Sequence, residues 1–405
     1  METGPVIWQN LGLVSPVHPG AGDSVGCRIP PLVPGPVNGP FNSTYRPQIK
    51  VEFMDRRASE VVEKARGIYD RAIVIDGLNV SNWNSPAVFD SLRAGKLTAV
   101  SATVAVWENF LETMDHLSAW QRRFRERGDF MQIHNTADIL AAKETDRTGI
   151  ILSFQNASPI ENDLDRLALF HALGVRIIQL TYHERNLLGN GCWERRDEGL
   201  SNFGVDAVRE MNRLGIVIDL SHVGPKTTMD AIEMSEQPVA ITHANALSFC
   251  DHPRNKEEEA LKLLAEKGGV VGATSFANFL PKGFDSTVED FVDAIDDMVE
   301  RIGLDHVAIG TDSTHDQPLE FWHYIASQQG TKFPSTFADG SVPYTELSFQ
   351  PKGIASPAEF PNLAEALSNR GYRAEEITKL LGGNWMSLFE RVWNVRRRRA
   401  REDSD

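Results

Sequence analysis

With 405 residues, 41% of them hydrophobic and 24% charged, the chain has material for a large buried core, and an α/β barrel with insertions reaches this length as one domain. A net charge of −15 argues against nucleic acid or an anionic membrane surface as the main partner. Cys27, Cys192 and Cys250 are too few for a disulfide framework and lack metal-ligand spacing; with neither a signal-peptide pattern nor a run of roughly 18 apolar residues, a cytoplasmic setting is expected.

Residues 1–48 hold nine of the 21 prolines, concentrated in IPPLVPGPVNGP, and show almost no periodicity. They predict an irregular Pro/Gly-rich N-terminal arm. From Val51 the texture becomes a charged helix followed by the apolar run AIVID. The alternation then repeats. Strands are predicted at Ala72 to Asp76, Leu97 to Ala105, Gly149 to Gln155, Val175 to Tyr182, Gly215 to His222, Val239 to His243, Gly269 to Thr274 and His306 to Asp312. Helical segments separate nearly all of them, among them Trp107 to Glu126, Glu161 to Leu173, Asp206 to Leu214, Lys256 to Lys267 and Thr287 to Ile302. Eight such units predict a (β/α)8 TIM barrel over 49–395. No G-x-G-x-x-G or Walker sequence follows the first strand, so no nucleotide cofactor is expected.

After the eighth strand, Ser313 to Phe360 is long, aromatic and turn-rich. A loop of that length in a compact domain predicts a lid, here over the barrel mouth. Helices are expected at 362–369 and 374–393, and 396–405 form a charged tail whose Arg396 to Arg399 run is read as solvated.

Active sites of such barrels gather at the carboxyl ends of the strands. In this chain those ends offer Asn79, Gln155 with Asn156, Tyr182 with His183, His222, His243, and Asp312 with Ser313 and Thr314. His222 and His243 close neighbouring parallel strands and should emerge side by side. Two imidazoles and the Asp312 carboxylate, drawn from three strands, make a candidate site for one metal ion with positions open to water and substrate.

Several segments resemble the membrane dipeptidases, the renal dipeptidase-like metallopeptidases of the amidohydrolase superfamily. They are GLSNFGVDAVREMNRLGIVIDLSHVG (199–224), VAITHANA (239–246), Arg254-Asn255, GGVVGATSF (268–276), HVAIGTDS (306–313) and LLGGNWMSLF (380–389). The resemblance covers roughly residues 70–395 and implies two zinc ions. It gives His222 and His243 to one metal position, and Asp312 to the other metal and to proton transfer. Arg254 matches the arginine that binds the substrate carboxylate. Tyr182, or His183 after a one-residue shift, matches the substrate-polarising histidine.

The chain departs from the family's pattern on one side of the site. The first-strand motif Asp-Gly-His-Asn-Asp reads Asp76-Gly77-Leu78-Asn79-Val80, and Gln155 stands for the bridging glutamate. Leucine and valine coordinate no ion. The expectation is therefore one divalent ion, zinc or alternatively iron, on His222 and His243 with Asp312. Asp312, Tyr182 and His183 are the catalytic candidates; Arg254, Gln155 and Asn79 are the substrate-binding ones. The expected reaction is hydrolysis of an amide or related bond in a small carboxylate-bearing amino-acid derivative, by a homodimer. The alternatives are oxidative or lyase chemistry on non-haem iron, and a binding protein without catalysis.

Overall fold

The computed structural model describes residues 62–327 and 349–394. The predicted arm at 1–48, the tail at 396–405, and 328–348 of the segment after the eighth barrel strand lie outside the described residues.

Near-continuous apolar runs suit strands buried on both faces by flanking helices. They form β1 (Ile75–Asn79), β2 (Ala99–Ala105), β4 (Thr148–Phe154), β5 (Val175–Gln179), β6 (Val217–Asp219), β7 (Ala240–Ile241), β8 (Val270–Ala273) and β9 (Val307–Ile309), all buried. These eight pair in parallel in the order β1-β2-β4-β5-β6-β7-β8-β9. The ring closes where Asn79 bridges to Ser313: Val80 N donates to Ser313 O at 2.8 Å and Asp312 N to Leu78 O at 3.1 Å. The fold is the predicted (β/α)8 barrel, with helices such as Phe110–Glu126, Asn202–Leu214 and Val288–Ile302 between the strands.

A ninth strand, β3 (Phe130–Gln132), departs from the expected count. It pairs with Thr148 to Ile150 of β4. Since β5 joins β4 only from Leu152 onward, β3 takes up backbone groups that β5 leaves open. The predicted helix at 374–393 is also broken. It divides into Ala374–Thr378, a π-turn at Lys379–Gly383, and Asn384–Trp393.

That last helix seals the amino-terminal end of the barrel. Ile75, Ala99, Ile151, Ile177, Val217, Ala240, Val270 and Ala308, one from each barrel strand, form a single cluster with Trp385, Leu388 and Phe389. The Trp385 indole donates to Ile309 O at 2.9 Å. A side-chain carbon on Gly77 would lie 2.5 Å from the Trp385 ring, so glycine is required there by close approach. Side chains alternate along a strand, and further along the barrel the interior turns polar, with Ser101, Ser153, Gln179 and Asp219 and then Thr103 and Gln155, all buried. The apolar plug and the polar mouth are set by position along the same strands.

Candidate active site

β6 ends at Asp219 and β7 at Ile241, so the two histidines stand in the turns just beyond their strands. The turns are held by one carboxylate. Asp219 accepts from Ser221 N and Oγ at 3.1 and 2.6 Å, and from Thr242 N and Oγ1 at 2.8 and 2.7 Å. Ser221 Oγ also accepts from His243 N at 3.1 Å. Adjacent strand ends are thereby tied together, and His222 Nε2 and His243 Nε2 meet at 2.8 Å.

Proton accounting fixes one of these rings. The only proton of Thr242 Oγ1 goes to Asp219, so at 2.8 Å from His243 Nδ1 it must accept a hydrogen bond. His243 then carries its proton on Nδ1 and presents the Nε2 lone pair. Burial, reinforced by the Arg254 charge, pushes His222 and His243 well below the ordinary histidine range. Both are neutral, the form that binds metals. His222 Nδ1 is buried without a hydrogen-bond partner.

Behind the pair lies Arg254, fully buried. Its Nη1 donates to Ser221 O and its Nη2 to His243 O at 2.9 Å, while its Cζ sits 5.2 Å from the centre of the Phe279 ring. Lys256 is buried beside it and donates to Val223 O at 2.7 Å. Among the described residues neither cation has a carboxylate within 4.0 Å. Burial, then Arg254, brings the Lys256 ammonium down to about 7.

In front of the pair, Tyr182 stacks on His222 with ring centres 4.0 Å apart, and His183 stacks on Trp193 at 3.5 Å. Gln155, Tyr182, His183, His222 and Asp312 line one cavity of about 30 Å³, room for a water-sized group. The Gln155 amide donates from Nε2 to Thr103 Oγ1 at 2.9 Å, which turns its carbonyl oxygen towards other partners. Asp312 has the left-handed φ of 55°, and its backbone is held by Leu78 O and by the Gln350 amide at 3.2 Å. Burial raises its carboxyl to about 7, with Arg254 opposing and Asp76 and Asp219 adding to the rise.

The roof is apolar. Phe276, Phe279, Trp322, Ile325 and Phe349 pack with Tyr182 and Val106 into a cluster. Trp322 and Ile325 belong to the helix Leu319–Ser327, so the segment predicted as a lid does cover the mouth, but through a helix rather than a loop. Asn79 stands apart from this cavity. Its amide donates to Asp76 at 3.2 Å and its carbonyl accepts from Ser81 N at 3.0 Å, so it braces the β1 turn.

Five of the predicted residues therefore share a cavity, and His243 and Arg254 lie directly behind it. Asp219, Ser221, Thr242 and Lys256 are additions to the expected site, although Asp-Leu-Ser-His and Thr-His already place hydroxyls beside both histidines.

The membrane dipeptidase family model (peptidase family M19) matches residues 63–322. The chain belongs to this family. It is 40% identical to an amidohydrolase from Pseudomonas aeruginosa of known structure, over 82% of this chain and 99% of that one, with a TM-score of 0.76. It is also 27% identical to a dipeptidase of Claviceps purpurea and 30% identical to an uncharacterized dipeptidase of Schizosaccharomyces pombe. These alignments cover 70% and 69% of this chain, which spans 60% and 62% of the length of those relatives. No helix among the described residues is long and apolar enough to cross a membrane.

Membership implies a divalent metal, and the donors can be tested for fit. Leu78 and Val80 offer nothing to a second ion, and Gln155 brings no charge. Among the described residues no three His, Cys, Asp or Glu side chains gather closely enough to hold a metal. Asp312 therefore does not join His222 and His243 as a preformed third ligand. The donors that fit a divalent ion are the two neutral imidazoles with converging Nε2 atoms.

Proposed function

We propose that this chain is a metal-dependent, dipeptidase-like hydrolase that cleaves an amide or related bond of a small carboxylate-bearing amino-acid derivative, using one divalent ion. The observation that carries this reading is the meeting of His222 Nε2 and His243 Nε2 in front of a buried arginine that has no carboxylate partner among the described residues. The two imidazoles would hold the ion, zinc by preference or iron, whose contribution is to acidify water and polarise a carbonyl. Asp312, poised near 7, would take the proton of the attacking water and return it to the leaving nitrogen. Tyr182 or His183 would steady the developing oxyanion. Arg254 keeps N–H groups beyond the two it gives to backbone carbonyls, and these would clamp the substrate carboxylate, with the Gln155 carbonyl as a further contact.

We further propose a cytoplasmic homodimer, with the chain divided into an N-terminal arm of residues 1–48, a barrel domain of 49–395 and a tail of 396–405. The experiment is hydrolysis of a panel of N-acyl amino acids and dipeptides by protein whose metal content has been measured. Turnover of simple dipeptides at the rate of a two-zinc relative would refute the one-ion mechanism.

The 2.8 Å contact between the histidines also supports a second reading, in which His222 Nε2–H donates to His243 Nε2 and the chain binds its small molecule without catalysis. Near-zero metal in protein purified without added ions would favour it.

A further inference from the structure

A second and much larger cavity adjoins the first. It measures about 320 Å³, and Val80 and Phe321 are walls of both. That is the size at which pockets for small organic molecules begin, whereas the histidine cavity has room for little more than the reacting group. Val80 stands where the dipeptidase motif has an aspartate, so the boundary between the two spaces is apolar here where it would have been charged.

The outer lining combines flat rings with unused donors. Trp83 and Trp120 lie with ring centres 5.2 Å apart, both facing this cavity. Arg123 is half-buried, 5.1 Å from the Trp120 ring centre, and donates to Asn84 Oδ1 at 2.6 Å. Among the described residues no carboxylate comes within 4.0 Å of it. The Trp83 indole N–H is buried and has no hydrogen-bond partner. Glu108, the one carboxylate among the described lining residues, is already engaged: it accepts from Val106 N at 2.6 Å and sits 3.8 Å from His116 Nδ1. A guanidinium with N–H groups beyond the one it gives to Asn84, set beside aromatic faces, calls for a planar ring that carries an anionic acceptor.

We propose that this cavity is a specificity site for an aromatic carboxylate, borne by the acyl or side-chain part of the substrate. The ring would lie among Trp83, Trp120 and Phe321, with its carboxylate received by Arg123. The scissile bond would reach past Val80 to the histidines, a placement that rests on the hydrolase reading above. The cavity itself does not depend on that reading.

Two measurements separate them. In the first, benzoate is titrated into the full chain and followed by calorimetry, with acetate and cyclohexanecarboxylate as controls. Saturable benzoate binding is expected, at least fivefold tighter than either control. Arg123→Gln and Arg123→Lys should each weaken it about tenfold, and His222→Ala should leave it within twofold. The lysine variant guards against misfolding of the glutamine variant, and circular dichroism checks both. Absence of saturable binding, equal binding of acetate, or sensitivity to His222→Ala but not to the Arg123 variants would overturn the proposal. In the second, hydrolysis of N-(4-carboxybenzoyl)glycine is compared with that of N-acetylglycine. A KM advantage of tenfold or more for the aryl compound, lost in Arg123→Lys, is expected. Equal KM values would overturn the specificity site, whereas tight benzoate binding with neither compound cleaved would overturn the hydrolase reading alone.

Discussion

Thr242 Oγ1 lies 2.8 Å from His243 Nδ1 and donates its own hydrogen bond to Asp219, so one hydroxyl decides which nitrogen of His243 faces the site. Partners of this kind orient a ligating ring, and losing them typically weakens metal binding about 10–100-fold. Thr242→Val keeps the shape and removes the acceptor. Metal titration of the variant should show that loss, with Thr242→Ser restoring most of the affinity.

Elemental analysis should find one divalent ion per chain in protein purified without added metal, and close to none in His222→Ala or His243→Ala. Restoring the family's ligands with Leu78→His, Val80→Asp and Gln155→Glu together should raise the stoichiometry towards two. Two tightly held ions in the wild type would contradict the ligand set described above.

Arg254→Lys keeps the charge but cannot hold Ser221 O and His243 O and also present a planar fork to a carboxylate. Hydrogen bonds from a charged donor contribute about 1.5–3 kcal/mol, so a lower Tm is expected together with a KM increased at least tenfold. A variant with wild-type KM would show that Arg254 serves the backbone alone.

Lys256 gives a pH signature. Between about 7 and its ordinary value of 10.5 the unfolded chain holds this proton and the folded chain does not. Its contribution to stability therefore rises with pH across that window and is lost as pH falls through 7. Lys256→Met removes the titration at the cost of a donor to Val223 O. Relative to wild type it should be most favourable near neutral pH and lose that advantage as pH approaches 10, by up to a few kcal/mol. Parallel Tm curves for the two proteins would refute the assignment.

Gly77→Ala should destabilise by about 1–3 kcal/mol through overpacking against Trp385. Denaturant unfolding measures it, and Gly77→Ala combined with Trp385→Phe should recover part of the loss.

The barrel was legible because its strands are apolar on both faces and are punctuated by amphipathic helices, a period that survives in one dimension. β3 was not, since Phe-Met-Gln carries no alternation long enough to register and exists only because β5 starts late against β4. The two histidines could be read from their place after apolar runs. Their shared support could not, because Asp219 reaches Thr242 across 23 residues and only the pairing of neighbouring strand ends brings them together. The helix Leu319–Ser327 was hidden among turn residues, and with it the aromatic roof. Leu78, Val80 and Gln155 told from sequence what had been removed from the site. The cavity beside Val80, which needs four separate segments to enclose it, was out of sequence's reach.

The tryptophan that seals the barrel belongs to its final helix, while the first strand it packs against was made some 300 residues earlier. On the ribosome, then, eight strands emerge before the piece that completes their shared interior. The nascent barrel must wait with an open, greasy end, exposed to chaperones and to neighbouring chains, until Trp385 arrives.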